Sequence, residues 1–171
     1  MRFFNLFKKN KVEEYVEISP VYEGKLKSLQ ELNDPACFSS EALGKGFAIE
    51  FSNDENEVIL KAPITGKISA IFPTKHAYVF ESLDEVKVLV HIGLDTVNLK
   101  GEGFESLVSI ESMVKKGQPF AKVNLKLIRE NNLVSDAIVT VLPESNVHSM
   151  DIVDLNGSFI TTDNVVIRVK K

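Results

Sequence analysis

At 171 residues the chain has the size of one domain and is long enough to bury a sizeable core. Its 44% hydrophobic and 26% charged residues with six prolines exclude a disordered chain, and no run reaches the ~18 apolar residues of a membrane-spanning helix. The single Cys37 excludes an internal disulfide framework, and a net charge of −4, of which residues 1–12 carry +4 and the remainder −8, argues against nucleic acid and for a basic protein partner.

Residues 1–14 read as a flexible basic and aromatic segment. Phe3, Phe4 and Phe7 would gather on one side of a helix, with Arg2, Lys8, Lys9 and Lys11 as the basic complement. That is the signature of an interfacial helix, so residues 1–11 are read as a contact with an anionic membrane surface. The plainer alternative is a terminus that orders only against a partner. The start MRFFNLFKKNK never develops the apolar h-region of a secretory signal. Together with the lone cysteine, this leads us to expect a cytoplasmic protein.

From Tyr15 to Lys171 one domain is expected, and its pattern is short and alternating. Phe47, Ile49 and Phe51 alternate with Ala48 and Glu50, and Val165, Ile167 and Val169 with Val166 and Arg168. Glycines and prolines break these period-2 runs at the spacing of an all-β fold, a compact antiparallel sandwich or barrel. Helices should be very short, with candidates at Phe104 to Val108 and Leu125 to Asn131. Ser19 to Leu26 and Ala62 to Ile68 share an order of small residue, proline, aliphatic and then Gly-Lys-aliphatic, with one extra residue in the first copy. This echo predicts a duplicated strand-turn unit.

Between them, His76 to Phe80 and Val86 to Ile92 read as the strands of a hairpin around Glu81-Ser82-Leu83-Asp84-Glu85. A turn centred between Leu83 and Asp84 sets His76 directly opposite His91, on one face with Phe72, Thr74, Tyr78, Phe80, Lys87 and Leu89. Val79, Val86, Val88 and Val90 then form the core face. Two facing imidazoles repel if both are protonated, so they need an anion, a metal or neutral rings. His148 has no such partner in sequence and reads as a surface residue.

Three chemistries compete for this pair. Zinc hydrolysis needs three protein ligands and an open position, and neither HExxH nor a third ligand is evident. A biotin or lipoyl carrier needs a lysine at the hairpin tip, where Leu83-Asp84 stands. In phosphoryl transfer one imidazole attacks, a hydrogen bond to its other nitrogen fixes the tautomer, and the second histidine donates to the phosphoryl oxygens.

Val90-His91-Ile92-Gly93-Leu94-Asp95-Thr96-Val97 and its continuation to Phe104 resemble the signature of the glucose-type IIA domain of the bacterial phosphoenolpyruvate-dependent sugar phosphotransferase system. Thr74-Lys75-His76-Ala77 is similar to that family's second histidine motif. Ala62 to Ile68 and Gly44 to Ile49 look like its strand-turn elements, so the resemblance spans Tyr15 to Lys171. It implies an antiparallel β-sandwich or barrel that receives phosphate from the phosphocarrier HPr on Nε2 of His91 and passes it to a cysteine of a sugar-specific IIB domain, itself coupled to a IIC permease. It further implies His76 as the supporting histidine, Thr74 as its hydrogen-bond partner and the Gly93 carbonyl as the holder of Nδ1 of His91. The docking ring maps onto Phe38, Leu43, Phe72, Leu89 and Val97, with Asp95 as a charged neighbour, and neither cofactor nor metal is implied. Asp136-Ala137-Ile138-Val139 departs from the family's usual Thr-Pro-Val-Val run, and Cys37 stands where an aliphatic residue is usual. A regulatory module presenting the same face, and a zinc-dependent peptidase-like β domain, are the alternatives.

Overall fold

Among the described residues, glycine and proline punctuation translates into short strands with one brief α-helix. The computed structural model describes residues 15–154 and 156–171, so the expectations for residues 1–14 lie outside the described residues. The strands in chain order are β1 (Val16–Ile18), β2 (Gly24–Lys27), β3 (Lys45–Glu50), β4 (Glu57–Lys61), β5 (Gly66–Ile71), β6 (Ala77–Glu81) and β7 (Lys87–Ile92). They continue with β8 (Phe104–Ser106), β9 (Met113–Val114), β10 (Pro119–Asn124), β11 (Ala137–Val141), β12 (Ser149–Ile152), β13 (Phe159–Ile160) and β14 (Ile167–Lys170). The helix α1 spans Leu125–Glu130, and Asn124 caps it by accepting the Leu127 N–H at 3.0 Å. Phe104–Val108 is not the expected helix. Phe104 is buried, Glu105 exposed, and both pair with β10 as strand β8, an alternation too short to distinguish from a helical turn by sequence.

Among the described residues every strand pairing is antiparallel. An eight-stranded sheet runs β13-β2-β3-β11-β7-β6-β5-β9, and two three-stranded sheets, β1-β14-β12 and β4-β10-β8, complete the sandwich. The main core lies between the layers: Phe47, Ile49, Tyr78, Phe80, Val88, Val90 and Val139 from the large sheet meet Leu60, Phe120, Val123, Ile167 and Val169. Tyr78 and Phe80 both stack edge-on against Phe120, with ring centroids 5.0 Å away. On the outer face of the same central strands a second, smaller cluster joins Ala48, Ala77, Val79, Leu89 and Ile138 to Leu29, Leu32 and Phe38 of the β2–β3 connection. With both faces covered, β11 is buried at every position.

The sequence echo is a structural duplication. Gly24 and Gly66 each open a strand, and a Cβ at either would lie 2.4 Å from the Glu50 carbonyl oxygen or 2.2 Å from that of Glu81. The two copies also lie side by side: Ser19 N–H donates to the Pro63 carbonyl at 3.2 Å, and Lys61, just before the second copy, donates its N–H to the Val21 carbonyl at 2.8 Å.

The hairpin exists, but its register differs by one residue. Ser82 closes the turn by accepting the Val86 N–H on its hydroxyl at 3.1 Å, and Glu85 adopts a left-handed φ of 61°. This is a three-residue loop ending in a left-handed residue, centred on Asp84 and not between Leu83 and Asp84. Ala77 therefore faces His91, and Val79 faces Leu89. The slip exchanges the faces of β6: Tyr78 and Phe80 enter the main core, while Val79 joins the outer cluster with Leu89.

Phe80→Ala should cost about 3–5 kcal/mol in chemical denaturation. Leu83→Ala, at a side chain 85% exposed in the turn, should stay within about 0.5 kcal/mol of the parent. Cross-strand contacts in NMR spectra should join Ala77 to His91, and contacts joining His76 and His91 as ladder partners would contradict the register.

Candidate functional site

His91 stands near the end of β7, on the outer face of the large sheet, opposite Ala77 on one side and Ile138 on the other. Immediately beyond the strand the chain turns at Gly93, whose φ is +72°. A Cβ there would lie 2.5 Å from both Cγ2 of Thr96 and the Val134 carbonyl oxygen, so only glycine fits. Thr96 secures the turn by donating its hydroxyl to the Ile92 carbonyl at 2.5 Å. The turn presents the Gly93 carbonyl to Nδ1 of His91 at 2.8 Å. A carbonyl oxygen can only accept, so Nδ1 carries the proton and Nε2 keeps its lone pair.

His76 reaches the same place from a different backbone. It precedes β6, in a loop where Lys75 takes a φ of 57° and donates its N–H to the Phe72 carbonyl at 2.7 Å. Leaving the strand frees His76 from the ladder's alternation. Its carbonyl accepts the Ile92 N–H at 2.8 Å, which anchors it beside His91. The two rings lie 4.9 Å apart, nearly perpendicular at 84°. The expected juxtaposition is present, although it does not arise from directly opposed ladder positions. Thr74 Oγ1 lies 2.5 Å from Nδ1 of His76. A hydroxyl can donate to a neutral imidazole or accept from an imidazolium, so Thr74 can serve either protonation state by rotating its proton.

Aromatic walls desolvate the pair. Phe38 packs on His91 with centroids 5.1 Å apart, while Phe72 and Phe104 meet His76 edge-on at 5.6 and 6.5 Å. Burial lowers the pKa of His76. It lowers that of His91 to about 4, aided by the neighbouring His76 and opposed by the Gly93 carbonyl, Asp34 and Asp95. Both rings are therefore neutral near pH 7, which relieves the like-charge repulsion of a close pair. Among the described residues no group of three His, Cys, Asp or Glu side chains is placed to hold a metal ion, so the zinc alternative gains no third ligand.

The rim separates into two kinds of residue. Phe72 and Val97 are 41% and 50% exposed, whereas Phe38 and Leu89 are 3% and 4% exposed and belong to the outer cluster. Leu43 is half-buried against that cluster, and Asp95 is exposed in a left-handed conformation at the head of the 96–99 turn. A depression of about 350 Å³ beside His91 is lined by Asp34, Cys37, Phe38, Leu94, Asp95 and Val97, among others. Cys37 is half-buried in that depression, and His148 is on the surface. Sequence reasoning had not singled out Asp34 or Leu94. Asp34 belongs to a loop remote in sequence from His91 and carries no motif, while Leu94 was visible only as part of the His91 segment.

A family model described as phosphoenolpyruvate-dependent sugar phosphotransferase system, EIIA 1, matches residues 16–147. Among solved structures, the glucose permease IIA from Mycoplasma capricolum is similar at a TM-score of 0.74 and 31% identity, over 98% of this chain and 99% of that one.

The depressed His91 pKa sets a sign for the pH dependence of stability. Between about pH 4 and pH 6.5 the unfolded chain binds more protons at this position than the folded chain, so stability falls on acidification through that window. His91→Gln should flatten the denaturation midpoint against pH there, and NMR titration should find the His91 ring neutral down to about pH 4. An ordinary midpoint near pH 6.5 would contradict the desolvated site.

Proposed function

The chain belongs to the EIIA 1 family of the phosphoenolpyruvate-dependent sugar phosphotransferase system, and on that premise we propose that His91 carries the phosphoryl group, taking it from phospho-HPr and passing it to a cysteine of a sugar-specific IIB domain. A member of this family is a phosphotransferase component of sugar uptake. The observation that carries the assignment to His91 is its Nδ1–H donated to the Gly93 carbonyl, which leaves Nε2 as the free nucleophile beside a second imidazole.

In the proposed step the lone pair of Nε2 forms a bond to phosphorus as the bond between phosphorus and the donor histidine of HPr breaks, and the donor nitrogen recovers that electron pair. The proton stays on Nδ1, donated to the Gly93 carbonyl, so no proton need leave the ring for the attack. With the Thr74 hydroxyl donating to its Nδ1, neutral His76 donates from Nε2 to a phosphoryl oxygen, and this bond strengthens as charge spreads over the phosphoryl oxygens. Departure reverses the first step: a thiolate of IIB attacks phosphorus, and Nε2 leaves as the lone pair of a neutral imidazole.

Partner docking follows from the rim. Exposed Phe72 and Val97 offer direct apolar contact, with Leu43 as a half-buried flank, while Phe38 and Leu89 support the histidines from beneath. Asp34 and Asp95 add negative charge that would steer a basic partner. We place the protein in the cytoplasm, with the basic and aromatic residues 1–11 as a contact to the anionic inner membrane surface that raises its concentration beside the permease.

Incubation with phosphoenolpyruvate, Enzyme I and HPr should add one phosphoryl group per chain by intact mass, and His91→Ala should abolish it. Labelling that persists at His148 or Cys37 would sink the assignment. His76→Gln should still accept phosphate but pass it on roughly a hundred-fold more slowly in rapid-quench measurements, since an amide cannot become cationic. Phe72→Lys should weaken HPr binding, while added salt should mainly slow association.

A further inference from the structure

The Gly93 carbonyl that orients His91 is itself held by a segment three strands' connection away in sequence. Gly93 N–H donates to the Asp136 carbonyl at 2.8 Å, and Leu94 N–H donates to the Val134 carbonyl at 3.0 Å. Because a peptide unit is planar, the Leu94 N–H and the Gly93 carbonyl turn together. Any shift of residues 134–136 therefore rotates the acceptor of His91 Nδ1.

That segment is fastened by charged side chains. Asp136 has a carboxylate only 8% exposed, 2.8 Å from Nζ of Lys27, and Lys27 also reaches Glu50 at 3.1 Å. Burial pushes the Asp136 carboxyl up against the opposing pull of Lys27, while hydrogen bonds to Asp136 and Glu50 hold Lys27 above the ordinary lysine range despite its desolvation. Between the two anchoring carbonyls, Ser135 accepts a hydrogen bond from Nε of Arg129 at 3.3 Å. Arg129 in turn donates to the carbonyls of Ser52 at 3.1 Å and Glu55 at 2.8 Å. A buried ion pair contributes little net stability relative to apolar packing, yet its directional bonds fix position. The pair sits where a small rotation of the backbone reaches the nucleophile.

We propose that Asp136, gripped by Lys27, is a positioning residue for phosphoryl transfer: it fixes the 134–136 segment whose carbonyls set the Gly93 turn and so aim Nε2 of His91. This rests on the reading of His91 as the phosphoryl acceptor. Asp136 touches no reacting atom. It acts through the backbone, and its loss leaves His91 in place with a poorly directed ring.

The test compares the full chain with Lys27→Arg, Asp136→Ala and the apolar double variant Lys27→Met/Asp136→Leu, using phospho-HPr as donor and NMR to follow the His91 Nδ1 proton. Asp136→Ala should slow phosphoryl uptake roughly ten- to hundred-fold, and its Nδ1 proton signal should be lost to solvent exchange. Lys27→Arg, which keeps the charge and the donor, should transfer near the parent rate. The double variant should recover the melting temperature without recovering the rate, and it carries the test if Asp136→Ala does not fold. A double variant that transfers at the parent rate with an unchanged Nδ1 signal overturns the proposal. If the parent itself accepts no phosphate, the acceptor reading fails. The positioning claim is then decided by the Nδ1 proton, its loss in the variants supporting the claim and its retention overturning it.

Discussion

The hydrogen bond from Nδ1 of His91 to the Gly93 carbonyl, 2.8 Å long, is the contact on which the rest of the site depends. Imidazole is a nucleophile only at the nitrogen without a proton, and in solution the proton is free to occupy either. Placing an obligate acceptor beside Nδ1 fixes the proton there and leaves the lone pair on Nε2. The acceptor is available because Gly93 takes a conformation that no other residue could take in the space left by Thr96 and Val134. Its orientation is held by two backbone bonds to the neighbouring connection into β11. A strand end, a glycine and a remote segment thus act together on one proton.

The sandwich supplies the second requirement, a dry and neutral environment. The main core packs against the inner face of the large sheet, leaving β7 free to build a smaller apolar cluster on the other side. His91 stands at the margin of that cluster, covered by Phe38 and faced by His76. Desolvation there keeps both imidazoles uncharged near neutrality, so the pair can sit close without a counterion. Around the pair Phe72 and Val97 stand exposed at the rim, whereas Phe38 and Leu89 beneath are buried.

Much of this was legible in the sequence, for reasons that can be traced to particular residues. Alternation in Phe47-Ala48-Ile49 and the repeated Pro-to-Gly-Lys pattern gave the β class and the duplication, because both are local. The contact between His76 and His91 was anticipated from a turn placed half a residue off. Nothing in Ser82-Leu83-Asp84-Glu85 announces that Glu85 takes a positive φ, since no glycine or asparagine marks it. The error exchanged Tyr78 and Phe80 with Val79, yet left the histidines together because His76 lies outside the ladder. The burial of Phe38 and Leu89 beneath the rim, and the bond from Lys27 to Asp136, stayed hidden. Those depend on strands distant in sequence coming together, which no local pattern records.

If Nε2 of His91 is the attacking atom, as proposed, the position of the phosphorus on the ring decides the matter. Phosphorus–nitrogen correlation NMR on the phosphorylated, nitrogen-15-labelled chain should show phosphorus bonded to Nε2 of His91, with Nδ1 still protonated and bonded to the Gly93 carbonyl. Phosphorus on Nδ1, or on a residue other than His91, would contradict it.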